Sequence, residues 1–479
     1  MKKVAITAGI LALVIFAWFA LTAGFQSDDY ILLTRHDHLW WPAVKEYLSR
    51  PDWEAPHYFR PATRIAQHSL MAVMGDNPTP YHARNLVLHL ISCLLVYRLA
   101  RLLGSERNAA RWGAGTFAIL PMHAEPVVFA TAIGSMGEAV CYLGAMCLFA
   151  AGSALTPGPS PPRGEGSRAR SVASGVLTLI ACLFKESGVT IPLTLAALWW
   201  MHDRPRRGTA LVASSITAVA VYFLWRSMIG MTGAAFSESL VLNPLAWIRN
   251  LVFYIAQMIL PLRSIFHWIG YENYDALRGI LPIIPEGEFA VVVGVLGIAL
   301  AWVGVHWWKK CDRSVQRAII LFLVLIAPLL AFRFTGMRLV YIASAGFAIG
   351  AGMLIARLRG WMRGLAYAWL IVMSVALVDQ GQVWQQAGEL ADRVLSDAAK
   401  NRVGASAEQG IVYGNIPARL NGAFVLHRGF VEGVRWKLHD PKALVFNASD
   451  PDFNRESVPP GSLWLSWTGQ RFLPLDISR

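Results

Sequence analysis

The sequence predicts an all-α polytopic membrane protein that ends in a small α+β domain. Three observations carry that expectation. The 479 residues are 55% hydrophobic and 15% charged, with mean hydropathy +0.44, whereas soluble domains are about a quarter charged. Apolar runs of roughly 20 residues, the length that crosses a bilayer, recur along the chain. Between them lie short basic clusters: Lys2-Lys3, Arg98 to Arg111, Arg163 to Arg170, Arg204 to Arg207, Lys309 to Arg317 and Arg357 to Arg363 hold 19 of the 43 Lys and Arg.

Clusters so placed follow the positive-inside pattern, so the net charge of +13 reports topology and not a nucleic-acid partner. Counting crossings by parity gives spans near 4–24, 84–103, 112–131, 134–152, 172–184, 188–201, 209–229, 289–308, 318–334, 338–357 and 364–380. That is about eleven helices, with the amino terminus inside and the carboxyl terminus outside. The first reads as an uncleaved anchor, since no clean small-x-small cleavage site follows it. The runs 172–184 and 188–201 are short, yet Arg170 and Arg204 both belong inside, so each has to cross.

Two large outer loops result, about 25–83 and 230–288. The second carries the apolar stretch Trp247 to Leu262, which parity makes re-entrant or interfacial, and the aromatic segment His267 to Tyr274. Thr156 to Gly166, rich in Pro and Gly, reads as a flexible cytoplasmic insert. The membrane domain is thus expected over 1–382 and a small extracytoplasmic domain over 383–479. In the latter, Trp384 to Ala399 reads as a helix, and Ile411 to Tyr413, Ala423 to Leu426, Ala443 to Phe446 and Leu463 to Trp467 as strands. The cysteines Cys93, Cys141, Cys147, Cys182 and Cys311 fall in apolar runs or a basic loop, so neither a disulfide framework nor a CxxC metal site is indicated.

Six clusters of chemistry-bearing residues map to the outer face. They are Asp28-Asp29-Tyr30; Tyr58-Phe59-Arg60-Pro61; His82, Asn85 and His89, on one helix face by their spacing; Pro121 to Pro126, with His123 and Glu125; Lys185-Glu186; and Arg338, Tyr341 and Ser344. Each has a plain reading. Asp28 serves as a solvated loop residue, the His82 group as hydrogen-bonding glue between helices, Lys185-Glu186 as a structural ion pair, and Arg338 as an interfacial anchor. His123 and Glu125 offer two metal ligands, which make a weak site. Ionisable groups at membrane depth nonetheless face a cavity or a partner, and six clusters on one side argue for a shared pocket.

As an ordered series, DD, YRP, H-x-x-N-x-x-x-H, P-x-H-x-E-x-V, KE-x-G and R-x-x-Y-x-x-S resembles the multispanning C-type glycosyltransferases. It is most similar to the transmembrane O-mannosyltransferases that carry TPR arrays and to the protein O-mannosyltransferases. The resemblance covers about residues 25–350. Three departures stand out: no TPR array follows the last span, Met337 replaces the Glu that precedes the family's Arg, and the Asn that follows the acidic pair is replaced around His36.

The resemblance implies an acidic pair at the active site and a polyprenyl-phosphate sugar, mannose among the candidates, as donor. Inverting transfer then needs a base for the acceptor hydroxyl and cations for the departing phosphate. Asp29 is the expected base, oriented by Asp28 or with Asp28 on the sugar hydroxyls; two adjacent carboxylates tend to raise one pKa. Arg60, Lys185 and Arg338 are the phosphate candidates, with Lys185 and Arg338 favoured. Tyr58, His82, Asn85, His123, Glu125, Glu186 and Tyr341 are expected to complete the substrate pocket. Asp29, Lys185 and Arg338 are expected to line one cavity opening toward lipid. A divalent cation on the acids is left open; no spacing demands one. The acceptor is a protein hydroxyl, a glycan or a lipid. Two rivals predict other features: a transporter or flippase should carry inverted repeats, and a non-catalytic assembly scaffold should tolerate loss of both aspartates.

Overall fold

The computed structural model describes residues 1–34, 40–52, 57–152, 165–201, 206–231, 240–270, 312–332, 336–406 and 409–475. The expected span 289–308, Cys311, His36, and the insert from Thr156 to Gly164 lie outside the described residues.

The membrane body is helical. Helix α1 (Lys2–Thr22) leads into the short α2 (Asp28–Leu33), then α3 (Trp40–Ser49) and α4 (Pro61–Met74). These three occupy what the sequence marked as a loop. α5 (Pro78–Leu102) starts sharply because the Asn77 side chain accepts from the Thr79 N–H and Pro78 takes the first helical position. α6 (Arg107–Ile119) is shorter than the crossing expected over 112–131. Pro121 and Pro126, which lack N–H donors, break the chain there into a 3₁₀ turn and the short α7 (Ala124–Val128).

α8 (Ile133–Gly152) follows, then α9 (Glu165–Phe184), α10 (Ile191–Met201) and α11 (Arg206–Met228). α9 is a 20-residue helix where a shorter run was expected, because its polar first turns continue the helix outside the apolar stretch. The segment expected to be re-entrant is two helices, α12 (Pro244–Ile259) and α13 (Leu262–Trp268), meeting at 69°. α14 (Arg313–Leu330) and α15 (Ala343–Arg357) precede α16 (Gly360–Val403). Six helices among the described residues are long and apolar enough to cross a membrane, or seven if the bent pair counts as one.

Two relationships position the site. The most apolar stretch of α8, with the 3₁₀ turn before it (Ala130–Ala151), is 83% buried, while the other five candidate spans are a third buried or less. α8 is therefore the central helix, ringed by α5, α9, α10 and α4. Second, α1 packs along α16 so closely that a Cβ on Gly388 would stand 2.7 Å from the Gly24 nitrogen.

α16 runs across the boundary expected at residue 383. The span over 364–380 and the helix Trp384 to Ala399 are one unbroken 44-residue helix. No Gly or Pro punctuates Val383 to Ala387, and Trp384 is fully buried, so nothing stops the helix at the composition change. Beyond it the sheet runs β4 (Val445–Asn447), β1 (Ile411–Gly414), β5 (Leu463–Trp467), β6 (Phe472–Pro474). β1 lies parallel to β4 and β5, and β6 is antiparallel to β5. A hairpin of β2 (Arg419–Leu420) and β3 (Ala423–Phe424) and the helix α17 (Phe430–Leu438) connect β1 to β4. Tyr413 fastens the sheet to α16 by donating to the Ala398 carbonyl at 2.7 Å. The sequence missed β2, α17 and β6; α17 is interrupted by Gly433, and the two strands are only two and three residues long.

Candidate active site

The acidic pair opens α2, where carboxylates favour a helix N-terminus. Asp29 turns inward and is 1% exposed. Its Oδ2 accepts from the Gln26 N–H at 3.1 Å and its Oδ1 from the Thr131 N–H at 2.9 Å. Burial pushes its pKa up to about 7, opposed by the two N–H donors; the neighbouring Asp28 adds only the smallest contribution. Desolvation, and not the adjacent like charge expected from the sequence, is thus the main cause. Asp28 remains partly exposed and accepts from the Ser27 hydroxyl at 3.3 Å.

Thr131 belongs to the segment from Phe129 to Ser135 at the start of α8, which joins the expected anchors. Lys185 donates to the Ser135 hydroxyl at 3.0 Å, and the Arg338 guanidinium stands 5.4 Å from the centre of the Phe129 ring. Ser135 lies four positions after Thr131, about one helical turn or ~6 Å along the axis. Asp29, Lys185 and Arg338 therefore converge on one end of the central helix. Arg84 and Asn85 hold this segment from α5, donating to the Ala130 carbonyl at 2.7 Å and to the Phe129 carbonyl at 2.9 Å. None of Phe129, Thr131, Ser135 or Arg84 was marked in the sequence; the only signal was the proline-broken stretch just before them.

Around Lys185 the charges alternate. It interacts with Glu138, Arg60, Arg338 and Glu186, and burial draws its pKa below the usual lysine value. Glu125 faces Arg263 at 3.4 Å and Arg338 at 3.8 Å. With Arg60 paired to Glu186, Lys185, Arg338 and Arg263 face the carboxylates of Glu138 and Glu125, three cations to two carboxylates among the described residues. Arg263, brought in by the bent pair α12–α13, was missed because an isolated arginine in an apolar run resembles an interfacial anchor.

Other expected pocket residues have different surroundings. Glu186, 1% exposed, accepts from Phe59 N–H at 3.1 Å and from Arg60 at 2.7 Å, and the Arg60 guanidinium also lies 3.9 Å from the Tyr58 ring centre. Arg60 is therefore paired with Glu186 in a clamp between α4 and the α9–α10 turn. His82 contacts the Ala23 carbonyl at 3.1 Å, His89 the Tyr341 hydroxyl at 2.7 Å and His123 the Ser344 hydroxyl at 2.9 Å, all buried. His82, Asn85, His123 and Tyr341 are thus buried and each is hydrogen-bonded to a neighbouring element. His123 and Glu125 point to different partners, and among the described residues no three His, Cys, Asp or Glu side chains converge as a metal site.

A cavity of ≈ 300 Å³ opens between α3 and α4, lined by Glu46, Tyr47, Asp52, Arg60, Pro61 and Arg64 among others. It is not lined by Asp29, Lys185 or Arg338. Its floor connects to the acid through Arg64, which donates to Gln67 at 3.2 Å, and Gln67, which reaches the Thr131 carbonyl at 3.4 Å.

No family model matches this sequence, and no curated protein does. Solved structures do. ArnT from Cupriavidus metallidurans in the apo state superposes with a TM-score of 0.56 at 12% identity, covering 92% of this chain and 85% of ArnT. The same protein bound to undecaprenyl phosphate gives a TM-score of 0.54, with the same identity and coverage. The archaeal oligosaccharyltransferase AglB from Archaeoglobus fulgidus gives 0.47 at 12% identity, over 94% of this chain and 65% of AglB. The two ArnT superpositions show that this chain shares the fold of ArnT.

Proposed function

We propose that the chain transfers a sugar from a polyprenyl-phosphate donor to an acceptor hydroxyl, at the membrane face that bears the sheet domain. The observation that carries this reading is the convergence of a buried carboxylate, Asp29, with Lys185 and Arg338 on the Phe129–Ser135 segment. The fold adds support, since ArnT of the same fold has been solved with undecaprenyl phosphate bound.

In this reading Asp29 takes the proton of the acceptor hydroxyl as the acceptor oxygen bonds to the anomeric carbon. The bond from that carbon to the phosphate oxygen breaks, and the lipid phosphate leaves with the electron pair. Attack opposite the leaving group inverts the anomeric centre. Lys185 supplies a point charge and Arg338 a planar fork to the departing phosphate. Asp28, partly exposed beside the base, is placed for sugar hydroxyls. Mannose is one candidate sugar, and the acceptor is a protein, a glycan or a lipid.

The basic clusters put the amino terminus in the cytoplasm of a cell with an inner (plasma) membrane. The sheet domain, residues 409–475, then lies outside, at the end of α16 beyond the bilayer.

Membranes holding the wild-type chain, incubated with radiolabelled undecaprenyl-phosphate sugars, should move label from the donor to a protein, a glycan or a second lipid separable from the donor. Asp29→Asn should not. Equal transfer by both chains removes Asp29 as the base, and no transfer from any such donor removes the reading.

A further inference from the structure

We infer that Val425, Arg428 and Gly429 of the C-terminal domain form a positioning clasp that acts through Ser27 to hold the Asp28-Asp29 turn in its working geometry. This rests on the reading of Asp29 as the base, but its test does not.

Ser27 has φ 45° and ψ −117°, a conformation that non-glycine residues avoid. Such a backbone persists only where its surroundings over-determine it. Here they do so from the far end of the chain. The Ser27 N–H donates to the Val425 carbonyl at 2.8 Å. The Arg428 N–H donates to the Ser27 hydroxyl at 3.1 Å, and that hydroxyl donates onward to Asp28 at 3.3 Å. Gly429, at φ +74°, packs directly on the Ser27 carbonyl, leaving no room for a Cβ.

The same carbonyl accepts from the Tyr30 N–H at 3.1 Å, so displacing it opens the first turn of α2. Tyr30 in turn packs on Trp436 of α17, with ring centres 5.8 Å apart, and a Cβ on Gly433 would lie 3.2 Å from its ring. On the other flank Gln26, whose N–H binds Asp29, donates its side chain to the Trp384 carbonyl at 2.6 Å. Every neighbour that fixes the turn on this side belongs to α16 or to the domain that follows it.

A domain merely resting on the membrane body would need no contact with a strained turn. A clasp predicts that loosening it changes the surroundings of Asp29 while the fold survives. The titratable and charged groups facing Asp29 are Asp28 and Tyr30 on α2, and Tyr81 and Arg84 on α5. None of them is altered by the variants below.

The full chain in proteoliposomes is treated with dicyclohexylcarbodiimide, which modifies protonated buried carboxyls, and the Asp29 peptide is quantified by mass spectrometry across pH. Wild type should lose labelling with a midpoint near 7. In Gly429→Ala the midpoint should fall by about one unit or more as water reaches the carboxyl. Label transfer should fall about tenfold through kcat, with KM for the donor little changed, the signature of lost geometry and not lost binding. Where Gly429→Ala does not accumulate as a monodisperse protein, Ser27→Gly decides. It relieves the strained backbone but deletes the hydroxyl that joins Arg428 to Asp28, and should lower the midpoint in the same direction. An unmoved midpoint in a folded variant overturns the clasp and leaves the base assignment standing. Full transfer by Asp29→Asn overturns the base assignment and leaves the clasp to the labelling result.

Discussion

The backbone N–H of Thr131 donates to Asp29 Oδ1 at 2.9 Å across 102 residues of sequence. It ties the acidic turn after α1 to the N-terminal end of the central helix. From that bond follow the consequences for acid–base behaviour, because it is one of two N–H donors, among the described residues, that oppose the desolvation of a fully buried carboxylate.

A base must be unprotonated to act, and Asp29 loses its proton near pH 7. Transfer should therefore be near its plateau above that pH and fall about tenfold per unit below it. A profile of kcat/KM against pH checks this. An acid limb near pH 4 would remove Asp29 from the role.

Stability should show the opposite sign. The folded-state pKa of about 7 exceeds the ordinary carboxylate value near 4, so the folded chain holds an extra proton between those limits. Stability then falls as pH rises through the window of about 4 to 7, and the full cost, about 4 kcal/mol, is present above it. Asp29→Asn removes that cost but leaves one of two N–H donors without its acceptor, a loss of about 1 kcal/mol. The variant should melt higher than wild type at pH 8, with the difference closing near pH 4.

Lys185 and Ser135 separate charge from positioning. Lys185→Met removes a cation from the phosphate side and should lower transfer about a hundredfold. Ser135→Ala deletes only the hydroxyl that holds the ammonium at 3.0 Å, and should cost about tenfold or less. Single-turnover rates with a labelled donor distinguish them. Equal losses would mean that Lys185 works only through Ser135.

Arg60 is predicted to matter for folding before chemistry. Glu186→Gln leaves the guanidinium without its counter-charge in the clamp, and breaking a buried pair costs about 3–5 kcal/mol. The Arg60 side chain is 26% exposed, so the lower end applies. A fall in melting temperature with donor KM unchanged is the expected outcome; a raised KM at unchanged melting temperature would return Arg60 to the substrate.

Legibility from sequence tracked the range of the interaction. Asp28-Asp29 stood out because a carboxylate pair beside a 20-residue apolar run is conspicuous locally. Lys185-Glu186 and Arg338 stood out for the same reason, as charges interrupting apolar runs. What each charge faces was not legible. Arg60 and Glu186, 126 residues apart, neutralise each other, while Arg338 stacks on a phenylalanine that no local pattern marks. At residue 383 composition changes, yet no Pro falls within α16 and its Gly381 and Gly388 are held by close packing against Phe16 and Gly24, so the helix runs through.

By itself the sequence determined the membrane class, the location of most apolar helices, the sheet-bearing end and the set of ionisable groups. These depend on composition and on periodicities a few residues long, which any window of the chain displays. Only the tertiary structure decided which of those groups share surroundings. It brought the Asp29 turn, the 129–135 segment and the 425–429 loop into contact, made burial the force that shifts Asp29, and diverted Arg60 to Glu186. Desolvation and pairing are properties of neighbours in space, and neighbours more than a hundred residues apart leave no local trace.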